Sequence, residues 1–83
     1  MLLTDRVEID PAVMLGKPVI KGTRITVELI LERLGSGETV EQIAGSLKNI
    51  QQADVHAAIE YAIESLRRET YFDHFTSLAI HRQ

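Results

Sequence analysis

The chain carries, near its N-terminus, the stretch Gly16-Lys17-Pro18-Val19-Ile20-Lys21-Gly22-Thr23-Arg24, and this stretch decides how the fold begins. Gly22 adopts positive φ at little cost, while Pro18 fixes its own φ and disfavours helix at the residue before it. The β-branched pair between them favours an extended backbone. We therefore expect a small hairpin, with Val19-Ile20 and Arg24-Ile25 on either side of a turn at Lys21-Gly22.

Three segments after this stretch repeat apolar residues at helical spacing. The first helix should begin after Thr26, and the second at Thr39 in a capping box completed three residues later. The third should begin near Gln51 or Gln52 and run to about Glu69. Each helix has a stripe of apolar residues along one side. Because the connectors are only about three to five residues long, the three helices can bury these stripes only by packing into one three-helix core. The predicted stripes are Val27, Ile30, Leu31 and Leu34; Val40, Ile43, Ala44 and Leu47; and Val55, Ala58, Ile59, Ala62 and Leu66.

The predicted fold class is mainly α, with a tri-helical, homeodomain-like helix-turn-helix core and a small N-terminal β-strand or hairpin segment. Val7-Glu8-Ile9 alternates apolar and polar residues and supplies a further short strand. We expect a helix-turn-helix domain with its N-terminal β segment over residues 1–69, and a C-terminal tail or short helix over residues 70–83. So little sheet leaves its edges unsatisfied, which predicts a homodimer formed through the N-terminal strands.

Composition sets limits on the class of protein. The 83 residues suit one domain, and the absence of cysteine excludes a disulfide scaffold and a thiolate zinc site. No apolar run approaches the length that spans a bilayer, and no signal peptide opens the chain, so we expect a cytoplasmic protein. A net charge of −3 disfavours strong non-specific binding to nucleic acid.

The words Gly-Lys-Pro-Val-Ile-x-Gly-Thr-Arg-Ile-x-Val resemble a small bacterial family, domain-of-unknown-function 433, and the resemblance runs from about Ile9 to about Ser65. Two departures stand out. Leu15 occupies a position where the family tends to carry a second glycine. Ser46–Gln51 replaces an aromatic-Pro pair followed by Leu-Thr.

The resemblance implies a function as well as a fold. Members of the family look like compact helix-turn-helix proteins and are often regarded as antitoxins paired with nuclease-like toxins. This implies an antitoxin of a type II toxin–antitoxin system that binds its toxin and regulates transcription from its own promoter. The alternative is a protein-interaction or oligomerisation module without DNA binding.

In a helix-turn-helix motif, the first residues of the second helix of the motif enter the major groove. Here that placement puts Ala53 and Ala57 on the side away from the core, together with polar residues suited to base edges. We expect Arg24 to pair with a nearby carboxylate, whereas Lys17 and Lys21 are candidates for contacts with DNA phosphates. Glu60 and Glu64 favour the alternative of a plain solvated bundle. The predicted DNA-binding residues are Lys17, Lys21, Lys48, Gln51, Gln52 and His56.

The aromatic character of the chain is concentrated near its C-terminus, at a helix-compatible spacing. One interpretation is a terminal helix that folds back on the core. The other is a partner-binding segment, because aromatic anchors dominate interfaces. The candidate partner-binding residues are Tyr71, Phe72, Phe75 and Leu78.

Catalysis has little support in the sequence. His56, His74 and His81 lack the short spacing of a metal site, and there is no cysteine nucleophile. No glycine-rich loop follows a strand and opens a helix, as a phosphate-binding fingerprint requires. We therefore predict no enzyme activity, no catalytic or metal-binding residue and no cofactor.

Overall fold

The computed structural model describes the backbone of residues 5–81 and the side chains of residues 5–68. Three helices and a two-stranded antiparallel sheet make up the regular structure of this part of the chain, which confirms the predicted fold class. The elements, in order, are β1 (Val7–Glu8), β2 (Val19–Ile20), α1 (Val27–Gly35), α2 (Val40–Ser46) and α3 (Gln52–His81).

The two strands pair through Val7 with Ile20 and Glu8 with Val19. On its other side β2 forms a single bridge, from Val19 to Thr26, so the predicted second arm of the hairpin is reduced to that bridge. The strand is thus held on both edges, although each element is very short.

The turn of the hairpin shows why a threonine follows the glycine. Gly22 has a φ of 80°, as predicted. The hydroxyl of Thr23 donates to the carbonyl of Ile20 at 2.8 Å and accepts from the N–H of Ile25 at 3.0 Å. Its backbone N–H also donates to Ile20 at 2.9 Å. One side chain therefore satisfies polar groups on both sides of the turn.

Both shorter helices begin at threonines, as predicted. The Thr26 hydroxyl accepts from the N–H of Leu29 at 2.9 Å, which caps α1. Thr39 and Gln42 form the complete capping box of α2, with reciprocal hydrogen bonds of 3.0 and 2.8 Å. These bonds satisfy N–H groups that no helical carbonyl can reach, so local sequence fixes where each helix starts.

The core lies where the three helices meet, and the sheet covers one side of it. Ile30 of α1, Ile43 of α2 and Val55 of α3 are completely buried. Leu31, Leu34, Val40, Leu47 and Ile59 are partly buried against this cluster. The predicted tri-helical core is therefore confirmed.

The buried face of α3 differs from the predicted stripe in two ways. Ala57, predicted to face away from the core, is completely buried, because α3 packs against α1 and α2 together and so buries a wide face. Leu66, predicted to close the core, is 59% exposed. The last residue of α3 that packs on the core cluster within the described side chains is Tyr61. The core is thus complete one turn earlier than predicted.

Helix α3 was predicted to end near Glu69, but it continues to His81. The backbone of residues 70–81 is therefore a continuation of α3. The side chains of the predicted tail, Tyr71, Phe72, Phe75 and Leu78, lie outside the described residues.

The side chain of Arg33, near the end of α1, contacts both the connector to α2 and α2 itself. The Arg33 guanidinium donates two hydrogen bonds to the Glu38 carboxylate, at 2.8 and 2.9 Å, and one to the hydroxyl of Ser46 at 2.8 Å. The hydrogen bonds from Arg33 lower the pKa of Glu38 below its ordinary value. The bidentate contact holds the connector against α1, and the single bond to Ser46 links Arg33 to the end of α2.

The burial of Ala57 gives a test of the core. Ala57→Asp should unfold the domain, because the site has no room or partner for a charge, and burying one costs several kcal/mol of a total stability of roughly 5–15 kcal/mol. Thermal melts followed by circular dichroism measure the effect. The control is His56→Asp, the same new side chain at the adjacent exposed position, which should melt close to the unmodified protein. Similar melts for both variants would contradict the wide buried face of α3.

Candidate functional site

The connection between α2 and α3 is short, as the helix-turn-helix prediction requires. It spans residues 47–51, and its sharpest bend is at Asn49, which has a φ of 65°. Asparagine tolerates this left-handed conformation better than most side chains, as expected for this position. The chain therefore enters α3 abruptly, and one side of the first turn of α3, carrying Gln52, is exposed while Asp54 and Val55 on its other side are buried.

Four of the predicted DNA-binding residues lie together at this entry. Lys48 and Gln51 are exposed in the turn, Gln52 is the first residue of α3, and His56 follows one turn later. All four are exposed. Because Gln52 and His56 are four positions apart on a helix, they lie on the same face. The structure thus brings these four residues onto one polar surface.

A buried carboxylate, that of Asp54, organises the same entry. Asp54, with 9% of its side chain exposed, accepts from the N–H of Gln51 at 2.8 Å and from the guanidinium of Arg6 at 3.0 Å. The first contact closes the N-terminus of α3, and its signal was an aspartate in the first helical turn. The second joins residues 48 positions apart, so no local pattern could reveal it.

The remaining two lysines of the predicted set are held differently. The N–H of Lys21 donates to the carbonyl of Arg6 at 2.8 Å, and Arg6 itself contacts the first turn of α3. Two successive contacts therefore link Lys21 to the entry of α3. Lys17 instead forms an ion pair of 3.3 Å with Glu28 of α1.

Lys17 and Glu28 belong to an open cavity of about 310 Å³ beside the start of α1. Arg24 also lines it and, contrary to expectation, forms no ion pair with any residue whose side chain is described. Glu32 lines the cavity as well and is likewise without an ion pair among residues 5–68. The cavity is lined by Met14, Lys17, Arg24, Thr26, Glu28, Leu29 and Glu32.

The loop that borders this cavity is strained. Met14, Leu15 and Gly16 have φ values of 49°, 60° and 83°, three consecutive residues in the left-handed region. Only glycine adopts that region without a steric cost, which is about 1–2 kcal/mol for other residues. Leu15 is nevertheless 94% exposed, so packing on the described core does not offset this cost. The strain presents an apolar side chain to solvent.

Other kinds of site find no support in the described part of the chain. Its His, Asp and Glu residues form no group of three that could hold a metal ion. None of its helices is both long enough and apolar enough to cross a membrane. Glu60 and Glu64 of α3 are half-buried.

The fold and its polar entry define a small helix-turn-helix protein with an N-terminal hairpin. A family described as protein of unknown function (DUF433) matches residues 7–62, more than half of the chain. The chain therefore belongs to this family, as the sequence predicted. No curated protein and no solved structure matches the chain.

The left-handed loop leads to a stability prediction. Leu15→Gly should raise the free energy of unfolding by about 0.5–1 kcal/mol relative to Leu15→Ala, because glycine relieves the strain that alanine keeps. Both variants remove the exposed side chain, so alanine is the matched control. Urea unfolding measures the difference. Equal stability for the two variants would show that the loop adopts another conformation in solution.

Proposed function

We propose that the protein is the antitoxin of a type II toxin–antitoxin system, a cytoplasmic regulator that binds a nuclease-like toxin and its own promoter DNA. The observation that supports DNA binding best is the exposed pair Gln52 and His56 on one face of the first turns of α3. This is the position from which helix-turn-helix proteins read the major groove. The antitoxin assignment itself comes from the resemblance to the family.

The side chains at the entry of α3 are suited to binding duplex DNA. Gln52 can bind the N6 and N7 edge of adenine, and His56 can donate to a base or a phosphate. Lys48 and Lys21 are both exposed and add positive charge, and Lys21 is linked to the entry of α3 through Arg6. Arg6 pairs with Asp54, so the only buried carboxylate at the entry is compensated. Because the net charge is −3, we expect modest affinity, with a salt dependence set by the few lysines that contact phosphates.

The toxin is proposed to bind the far part of α3. The helix continues to His81, well beyond Tyr61, the last of its described side chains to pack on the core. The four predicted partner residues, Tyr71, Phe72, Phe75 and Leu78, lie in this continuation, and aromatic side chains are the usual anchors of an interface. The proposal includes a homodimer, which would present two copies of α3.

The alternative function, an interaction or oligomerisation module without a DNA role, has an observation of its own. Ile63 is 37% exposed and Leu66 is 59% exposed, three positions apart on α3. Apolar residues at this spacing form a stripe that another helix can cover. In this reading the polar entry of α3 is simply solvated.

Variants at the entry distinguish base contacts from phosphate contacts. Lys21→Ala and Lys48→Ala should weaken binding to every DNA sequence. Each should also reduce the slope of the logarithm of the binding constant against the logarithm of salt concentration by about one. Gln52→Ala should instead relax sequence preference. Lys17→Ala is the matched control: it removes the same charge from a lysine already paired with Glu28, so it should change binding less. Gel-shift titrations on the upstream DNA give the measurement. The absence of a shift at low salt, with and without the toxin, would favour the interaction module.

Deletion of residues 70–83 tests the toxin site. The described core ends before this segment, so the shortened protein should keep nearly the same melting temperature but lose co-purification with the toxin-like protein encoded nearby. Arg67→Ala, a substitution just before the deletion, serves as the control and should retain co-purification. A large fall in melting temperature with co-purification intact would instead make the segment part of the folded core.

A further inference from the structure

The cavity beside α1 and the strained loop that borders it form one surface, which we call the loop–cavity surface. Its apolar part consists of Leu15, 94% exposed, Met14, 42% exposed, and Leu29, which is half-buried. Met14 and Leu29 line the cavity, and Leu15 lies next to Met14 on the left-handed turn. The surface therefore has a protruding apolar side chain beside a recess whose lining is apolar at Met14 and Leu29 and polar or charged elsewhere.

The charges of this surface are balanced but only half of them are paired. Lys17 and Glu28 pair with each other at 3.3 Å. Arg24 and Glu32 line the same cavity, are both exposed, and form no ion pair among the residues with described side chains. One cation and one carboxylate therefore remain available on the same surface.

We propose that the loop–cavity surface is the contact between two copies of this chain. In a two-fold contact each surface meets itself, so Arg24 of one copy faces Glu32 of the other, and the reverse holds on the opposite side of the axis. Leu15 of each copy packs into the recess of the other, against Met14 and Leu29. The contact assigns a surface to the homodimer that forms part of the proposed function.

A second copy fits this surface better than an unrelated partner for a physical reason. An acidic partner would satisfy Arg24 and repel Glu32, and a basic partner would do the opposite. A copy of the same surface satisfies both, with no charge added. Burial of Leu15 also removes an apolar side chain from water, which compensates for the strain of its backbone.

Charge reversal tests the contact. Arg24→Glu places like charges opposite each other twice across the axis, and so does Glu32→Arg. Each variant alone should weaken the dimer by at least about tenfold in sedimentation at micromolar concentration. An equimolar mixture of the two variants should recover the dimer, because each Glu–Arg pair then forms again between unlike chains. The double variant, with both changes in one chain, should recover it as well.

The mixture also separates loss of contact from loss of folding, since a misfolded chain would not recover on mixing. The control is Arg67→Glu, a charge reversal on α3 outside the surface, which should leave the dimer unchanged. A monomeric unmodified protein would overturn the proposal and assign the surface to another partner. A dimer unaffected by either reversal would overturn this contact and leave the N-terminal strands or the stripe formed by Ile63 and Leu66 as its site. Neither result bears on the gel-shift and co-purification tests of DNA and toxin binding.

Discussion

The packing of the first turns of α3 against α1 and α2 together is the constraint on which the rest of the structure depends. Val55, Ala57 and Ala58 are completely buried there. Alanines at the contact let the helices approach closely, so Ile30, Ile43 and Val55 can fill the core between them. Both of the other helices and the sheet take their positions from this contact. Any larger or charged residue on that face would separate all of them at once.

The same few turns of α3 also organise the polar surface. Asp54 lies on the buried side of the first turn, where it closes the helix terminus and holds Arg6 of the segment before β1. The sheet formed by β1 and β2 is therefore anchored to α3 through a charged contact as well as through its residues Val7 and Ile20. With the buried side occupied in this way, Gln52 and His56 are left on the solvent side.

Local signals in the sequence were sufficient for the boundaries of the first two helices and the hairpin turn. Thr26, Thr39 and Gly22 act through bonds or dihedral angles within a few residues, so their effects are visible in the sequence alone. Gln52 and His56 were predicted to face solvent from the usual placement of the second helix of a helix-turn-helix motif, and both are exposed. Ala57 and Leu66 were placed wrongly, because the width of a buried face depends on how many elements pack against it. That number is a property of the assembled fold.

Contacts between distant residues set a second limit on prediction. Lys17 and Lys21 are four positions apart and looked equivalent, but they lie at opposite ends of β2, where the Lys17 side chain pairs with Glu28 and the Lys21 backbone bonds to Arg6. Arg6 and Asp54 are 48 positions apart, and only the folded chain shows that they meet. The strain at Leu15 could be suspected from the missing glycine, whereas its φ of 60° required the structure.

The single continuous helix α3 carries both the proposed DNA-contacting residues and the proposed toxin-binding segment. Helix α3 has 30 residues, which corresponds to a length of about 45 Å. Gln52 and the proposed toxin-binding segment therefore belong to one helix, and a partner bound at the far end would take a defined position relative to Gln52. In a dimer joined at the loop–cavity surface, the separation of the two α3 entries would also be fixed. That separation would set the spacing of the half-sites on the promoter, since helix-turn-helix dimers match the helical repeat of DNA. The surface that joins the copies would thus influence DNA recognition without touching a base.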